Sequence, residues 1–186
     1  MIISTLSKRA SLICLVSFSI FGCSTDGWQT ASREPAGIAP QPKETPEAVV
    51  QVYAADAWSW RGWFAVHSWI ATKAENADTY TVYEVVGFRL KRGLPALRVE
   101  QREHPDRYRY GAKPELVYDA RGDKAKALIP QIAKVVEEYP WKNDYSVFPG
   151  PNSNTFPQWV INKVEGFDAK LPFRAIGSGY ADKDES

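Results

Sequence analysis

Past residue 23 the chain contains no cysteine. It has two in all, Cys14 and Cys23, so its body forms no internal disulfide and offers no catalytic thiol. Histidine is nearly as scarce. His67 and His104 are the only two, and neither belongs to an HExxH or CxxC spacing, so the sequence implies no metal and no cofactor. Charge bias is lacking as well: 23 basic residues stand against 22 acidic ones. That balance gives no basic face of the kind a nucleic-acid partner requires. What is present is the mixture of one globular domain, with 44% hydrophobic and 24% charged residues in 186. Aromatics are concentrated. Four of the seven tryptophans (Trp58, Trp60, Trp63 and Trp69) fall within one short stretch, which marks it for core, rim or ligand contact.

Residues 1–22 have the pattern of an export signal. Lys8 and Arg9 precede an apolar run over 10–21, which is too short to span a bilayer as a stable helix. Without those two charges the net charge becomes −1. The run ends in Ile20-Phe21-Gly22-Cys23, which resembles a bacterial lipoprotein box. The resemblance implies cleavage before Cys23, acylation of that cysteine and stable membrane anchoring by several acyl chains. Ser24 in place of Asp after the cysteine implies the periplasmic face of the outer membrane. The alternative is a secretory signal with an incidental cysteine. Residues 24–46 carry Pro35, Pro40, Pro42 and Pro46 among small polar residues, and are expected to be a flexible tether with ends about 25 Å apart.

The folded domain is expected over 47–180, with a frayed tail at 181–186. Strand patterns cover 47–55, 63–72, 79–90, 97–103 and 115–120. In the second, Phe64, Val66 and Ile70 alternate with Trp63, Ala65, His67 and Trp69. Both faces are largely apolar, so this strand is predicted to be central and buried. Residues 104–114 form a polar loop, and His104 within it is expected to be exposed. Helices are predicted over 123–139, where Pro130 requires a kink or a late start, and over 154–165. The fold class is therefore α+β: an antiparallel sheet with His67 at its centre, packed against two or three helices.

The most informative stretch is 146–167, SVFPGPNSNTFPQWVINKVEGF. Pro157 confines the helix start, so the N-cap is expected at Ser153 or Asn154. Ser153 then lies where free backbone amides and the positive helix end meet, a place for a nucleophile, an anion or simply a capped turn. His67 is the partner for Ser153, unless it is a satisfied core histidine. Glu84 is a carboxylate among apolar residues, and must orient His67 or pair with an arginine. Trp60, Arg61 and Trp63 are candidates to line a cleft.

Together, SWRGWFAVHSWI, YEVVGF and PGPNSNTF resemble an uncharacterised bacterial family of envelope and membrane-associated proteins, over about residues 50–180. More distantly, the layout is similar to the circularly permuted papain-like hydrolases, which include lecithin:retinol acyltransferase-like enzymes and cell-wall peptidases. That similarity places Ser153 where a cysteine is usual. It implies a membrane-tethered hydrolase or acyl transferase acting on an envelope amide or ester. Ser153 would be the nucleophile, His67 the base and Glu84 the orienting group. The Ser153 and Asn154 amides would hold the oxyanion, and Asn152, Asn154, Trp60, Arg61 and Trp63 would contact substrate. The alternative is an inactive relative that binds a cell-wall peptide, glycan or lipid. A third reading is a purely structural lipoprotein.

Overall fold

The computed structural model describes residue 27 and residues 29–183. Cys23 and the leader lie outside them. Five strands form one antiparallel sheet: β1 (Val49–Asp56), β2 (Val66–Lys73), β3 (Tyr80–Val85), β4 (Leu97–Arg102) and β5 (Glu115–Arg121), in the order β4-β3-β2-β1-β5. The helices are α1 (Gly122–Glu138) and α2 (Thr155–Lys163). The fold is α+β, and the strand carrying His67 is the middle one.

The alternation of side chains along each strand divides the sheet into two buried faces. Val50 and Val52 of β1, Ile70 of β2 and Tyr83 and Val85 of β3 point to one face. There they pack against Leu128, Ile132 and Val136 of α1 and Phe156, Trp159 and Val160 of α2. Their neighbours Val49, Tyr53, Trp69, Ala71, Tyr80 and Val82 point to the other face. Among the described residues, neither α1 nor α2 covers that second face. Ile38 and Ala39 from the N-terminal segment and Ala112 from the loop after β4 pack on it instead.

This corrects the expected tether. The stretch from Glu34 to Pro40 is docked, because a sheet with two apolar faces needs two lids. Pro35 bridges Arg107. The buried Asp106 carboxylate accepts the amides of Ile38 (2.6 Å) and Ala39 (3.1 Å). The Tyr80 hydroxyl donates to the Pro40 carbonyl at 2.9 Å, and Trp69 Nε1 donates to the Pro105 carbonyl at 2.9 Å.

Several boundaries also move. The second strand starts at Val66, because residues Ser59–Trp63 wind into a 3₁₀ turn that carries Trp63 out to solvent. The third strand ends at Val85, and Gly87–Arg92 is another 3₁₀ turn. Gly87 begins it under the Tyr145 ring, where an added Cβ would come within 2.4 Å of a ring carbon. Pro130 neither delays nor ends α1. It lies on the exposed side, opposite the buried stripe of Ala125, Leu128 and Ile132. The C-terminal end is ordered further than expected: Ser178–Asp182 forms a 3₁₀ turn with Ala181 buried.

Candidate functional site

Glu84 organises the polar part of the second face. It lies on β3 two residues beyond Val82, so it shares that face, and His67 shares it from β2. The carboxylate is 1% exposed. Opposite it in the ladder is Arg98 of β4, and Arg102 stands four residues along on the same side. Arg98 Nε donates to Glu84 Oε1 at 2.9 Å, and its terminal nitrogen forms a second, short bond to the same oxygen. Arg102 reaches Oε1 at 3.4 Å. Arg109 comes from the loop held down by Asp106 and contacts Oε2 at 2.5 Å. Its guanidinium also lies over the Trp69 ring, 5.4 Å from the centroid.

His67 completes the cluster. Its Nε2 is 3.2 Å from Glu84 Oε2 and 2.7 Å from the Arg109 terminal nitrogen. Arginine only donates and an ionised carboxylate only accepts, so the arrangement has one consistent hydrogen pattern. The Arg109 nitrogen gives one hydrogen to Glu84 and one to His67 Nε2, and the neutral imidazole carries its proton on Nδ1. The electrostatics agree. Burial, then the Arg109 charge, push the His67 pKa down to about 4. For Glu84, burial alone would raise the pKa, but the Arg109 and Arg98 charges outweigh it and hold the carboxyl well below its ordinary value.

Ser153 is elsewhere. It precedes α2, which packs on the opposite face of the sheet, and it stands beside the Tyr145 hydroxyl. Among the described residues, His67 Nε2 has Arg109 as its hydrogen-bond donor, with the Glu84 carboxylate 3.2 Å away and bridged to it by the same Arg109 nitrogen. No hydrogen bond between His67 and Ser153 occurs among the described residues, and the helix that follows Ser153 packs on the face opposite to His67. Counting residues along β2 could not reveal this, because the face covered by α2 is set by tertiary packing.

Asn152 and Asn154 hold backbone together. Asn154 is the N-cap residue of α2, as expected, but its side chain makes no cap bond; the Asn152 side-chain oxygen accepts the amides of Asn154 (2.9 Å) and Thr155 (3.2 Å) instead. Its Nδ2 donates to the carbonyls of Val147 and Ile176, and Asn154 Nδ2 donates to those of Val66 and Ile176. Gly177 lies so close that an added Cβ would come 2.0 Å from Asn152 Nδ2, and its φ is +91°. Both side-chain amide nitrogens are spent on this junction, so both asparagines tie it together, while Asn154 Oδ1 is buried without a partner among the described residues.

Trp60 (58% exposed), Trp63 (87%) and Phe64 (51%) form an exposed rim with Arg61 beside the Trp60 ring. Phe173 (99% exposed) joins them, because the neighbouring Arg174 binds Asp56 and the Gly62 carbonyl. This is a rim on the molecule's end. The cleft lies on the second face, has a volume of about 210 Å³, and is walled by Arg33, Arg98, Arg102, Arg107 and Arg109. No sequence argument above singled out these arginines. A signal did exist. Arg98, Glu100 and Arg102 recur at the strand period, and so do Arg107 and Arg109.

An α+β domain with a buried carboxylate at the head of an arginine-walled cleft is the class defined by fold and site. The chain belongs to the family described as protein of unknown function (DUF3750), whose profile matches residues 47–180. No curated protein and no solved structure matches the chain significantly.

Proposed function

We propose that this protein is an envelope lipoprotein, anchored through acylated Cys23, that works as a binding module at the membrane surface rather than as a papain-like hydrolase. The observation that carries the reading is the aromatic rim. Trp60, Trp63, Phe64 and Phe173 crowd one end of the molecule, and the N-terminal segment leaves from the same end. The Gly111 amide binds the Ser32 carbonyl at 3.0 Å, Arg33 lies over Tyr110, and the Tyr110 ring meets Trp58 just before the 3₁₀ turn. Eight residues lie between Cys23 and Ser32, a reach of at most about 30 Å over nine Cα–Cα steps. An acyl anchor at Cys23 would therefore hold the rim near the headgroup region, where tryptophan is favoured because its ring is amphipathic.

The hydrolase reading has little support from the geometry. His67 Nε2 is occupied by Arg109, and a pKa near 4 leaves it a weak base at neutral pH. Ser153 has no imidazole at hand, and a serine without a base is a poor nucleophile.

The test has two arms. Fatty-acid labelling of cells should mark the wild type and spare Cys23→Ala. Flotation of the full Cys23→Ala chain with neutral phosphatidylcholine vesicles should show weak binding, reduced at least about tenfold in Trp60→Ala/Trp63→Ala, since each buried side chain contributes on the order of 1.5–3 kcal/mol. Equal labelling of both chains would end the anchor, and equal flotation with and without the tryptophans would end the membrane-facing rim. Hydrolysis of envelope material by wild type and not by folded Ser153→Ala would restore the enzyme.

A further inference from the structure

We infer that the arginine-walled cleft is a binding site for a phosphate group. The cleft lies between β4, with Arg98 and Arg102, and the loop that carries Arg107 and Arg109, with Arg33 of the N-terminal segment closing one side. Leaving Arg33 aside, Arg98, Arg102, Arg107 and Arg109 bring four guanidinium groups to it. Among the described residues, the carboxylates paired with those four are Glu84 and Glu100. Glu84 touches three of the arginines yet carries one charge, and Glu100 pairs with Arg98 and Arg102. His67 adds no negative charge and is itself neutral. The site thus holds an uncompensated excess of positive charge, partly out of water, where a mobile anion is attracted strongly.

The choice of phosphate follows from the type of cation. All four are arginines, whose planar forks match the oxygens of phosphate in pairs and stay charged at any pH of interest. They are also held in place before any ligand arrives. Glu84 and Trp69 fix Arg109, the ladder fixes Arg98 and Arg102, and Arg107 Nε donates to the Arg33 carbonyl at 2.6 Å. The volume of about 210 Å³ is several times the roughly 30 Å³ share of one water, so a phosphate with a substituent fits. Phe88, Tyr108 and Tyr110 supply walls for that substituent.

Glu84 takes a defined role here. It sits behind the arginines, keeps three of them from repelling one another, and leaves their outer faces to the ligand. A phosphate monoester or diphosphate could come from a soluble compound or from a lipid headgroup. The site stands whether or not the rim meets a membrane.

The experiment is titration calorimetry of the full Cys23→Ala chain with inorganic phosphate and with pyrophosphate, alongside flotation with vesicles of phosphatidic acid in phosphatidylcholine. We expect saturable one-to-one binding, tighter for pyrophosphate. Binding should weaken at least tenfold in Arg107→Gln and in Arg102→Gln. Arg107→Gln is exposed and leaves the Glu84 cluster intact, so its fold is preserved, and circular dichroism checks this. Trp60→Ala/Trp63→Ala should leave phosphate binding unchanged, which separates this site from the rim. A preference for phosphatidic acid that the arginine variants abolish assigns the lipid headgroup. Binding of the soluble anions without that preference assigns a soluble phosphate compound. Absence of saturable binding to both anions and both vesicle types, or unaltered affinity in the two folded arginine variants, would overturn the proposal.

Discussion

Glu84 and His67 form a charge cluster whose cost and benefit both depend on pairing. A buried carboxylate in contact with three guanidiniums is stable only as a set. Glu84→Gln leaves the arginines to repel one another, and is expected to lower the unfolding free energy by about 3–5 kcal/mol in urea titrations of the full chain. The pH dependence follows from His67. Its pKa is about 4 in the folded protein against 6.5 when free, so below pH 6.5 the unfolded chain binds the extra proton. Stability is therefore full above pH 6.5 and falls as pH drops towards 4, by on the order of 3 kcal/mol. Glu84, with its folded pKa well below the ordinary value, adds a further loss only below about pH 4.5. His67→Gln should flatten the fall between pH 6.5 and 4. An unchanged slope in that variant would show that other groups produce it.

Among the elements, α2 rests on its cap and α1 tolerates an imperfection. Asn152 accepts two amides and donates to two carbonyls, so Asn152→Ala removes a cap and orphans buried groups. Its expected cost is about 2–4 kcal/mol by thermal or urea unfolding. Ser153→Ala should cost no more than about 1 kcal/mol, the scale of the one hydrogen bond its hydroxyl shares with Tyr145. The reverse order would mean that the serine carries more of the junction than its contacts imply. Pro130 sits mid-helix on the exposed side, where it removes an amide from the ladder. Pro130→Ala should raise stability by about 2 kcal/mol, the helix gain being partly offset by a more flexible unfolded chain.

At the scale of the whole molecule, the N-terminal segment is a lid. The family match begins at residue 47, yet Ile38 and Ala39 cover Tyr53, Trp69 and Tyr80 from outside that span. A chain starting at Pro46 loses the Asp106 and Tyr80 bonds and bares an aromatic face. It is expected to melt several degrees lower, since each lost kilocalorie shifts the midpoint of a domain this size by roughly 2–8 °C. It should also bind a hydrophobic dye that the full chain does not. An unchanged melting point would show that the segment merely lies on the surface.

The sequence alone determined the elements and the fold class. The apolar runs over 47–55 and 63–72, and the helical stripe through Leu128 and Ile132, are local patterns set by burial, and each element formed there with its boundaries shifted by a few residues. The sequence left Glu84 either to orient His67 or to pair with an arginine, and in the structure the carboxylate meets three arginines with His67 Nε2 3.2 Å away. Tertiary structure decided which face each side chain meets. Strand parity says that His67 and Ile70 point apart, but only the packing of α1 and α2 determines which of the two faces the helices cover. That choice parted Ser153 from His67. It also turned Arg98 and Arg102 of β4 and Arg109 of the following loop, ordinary one at a time, into a single cationic wall around one carboxylate.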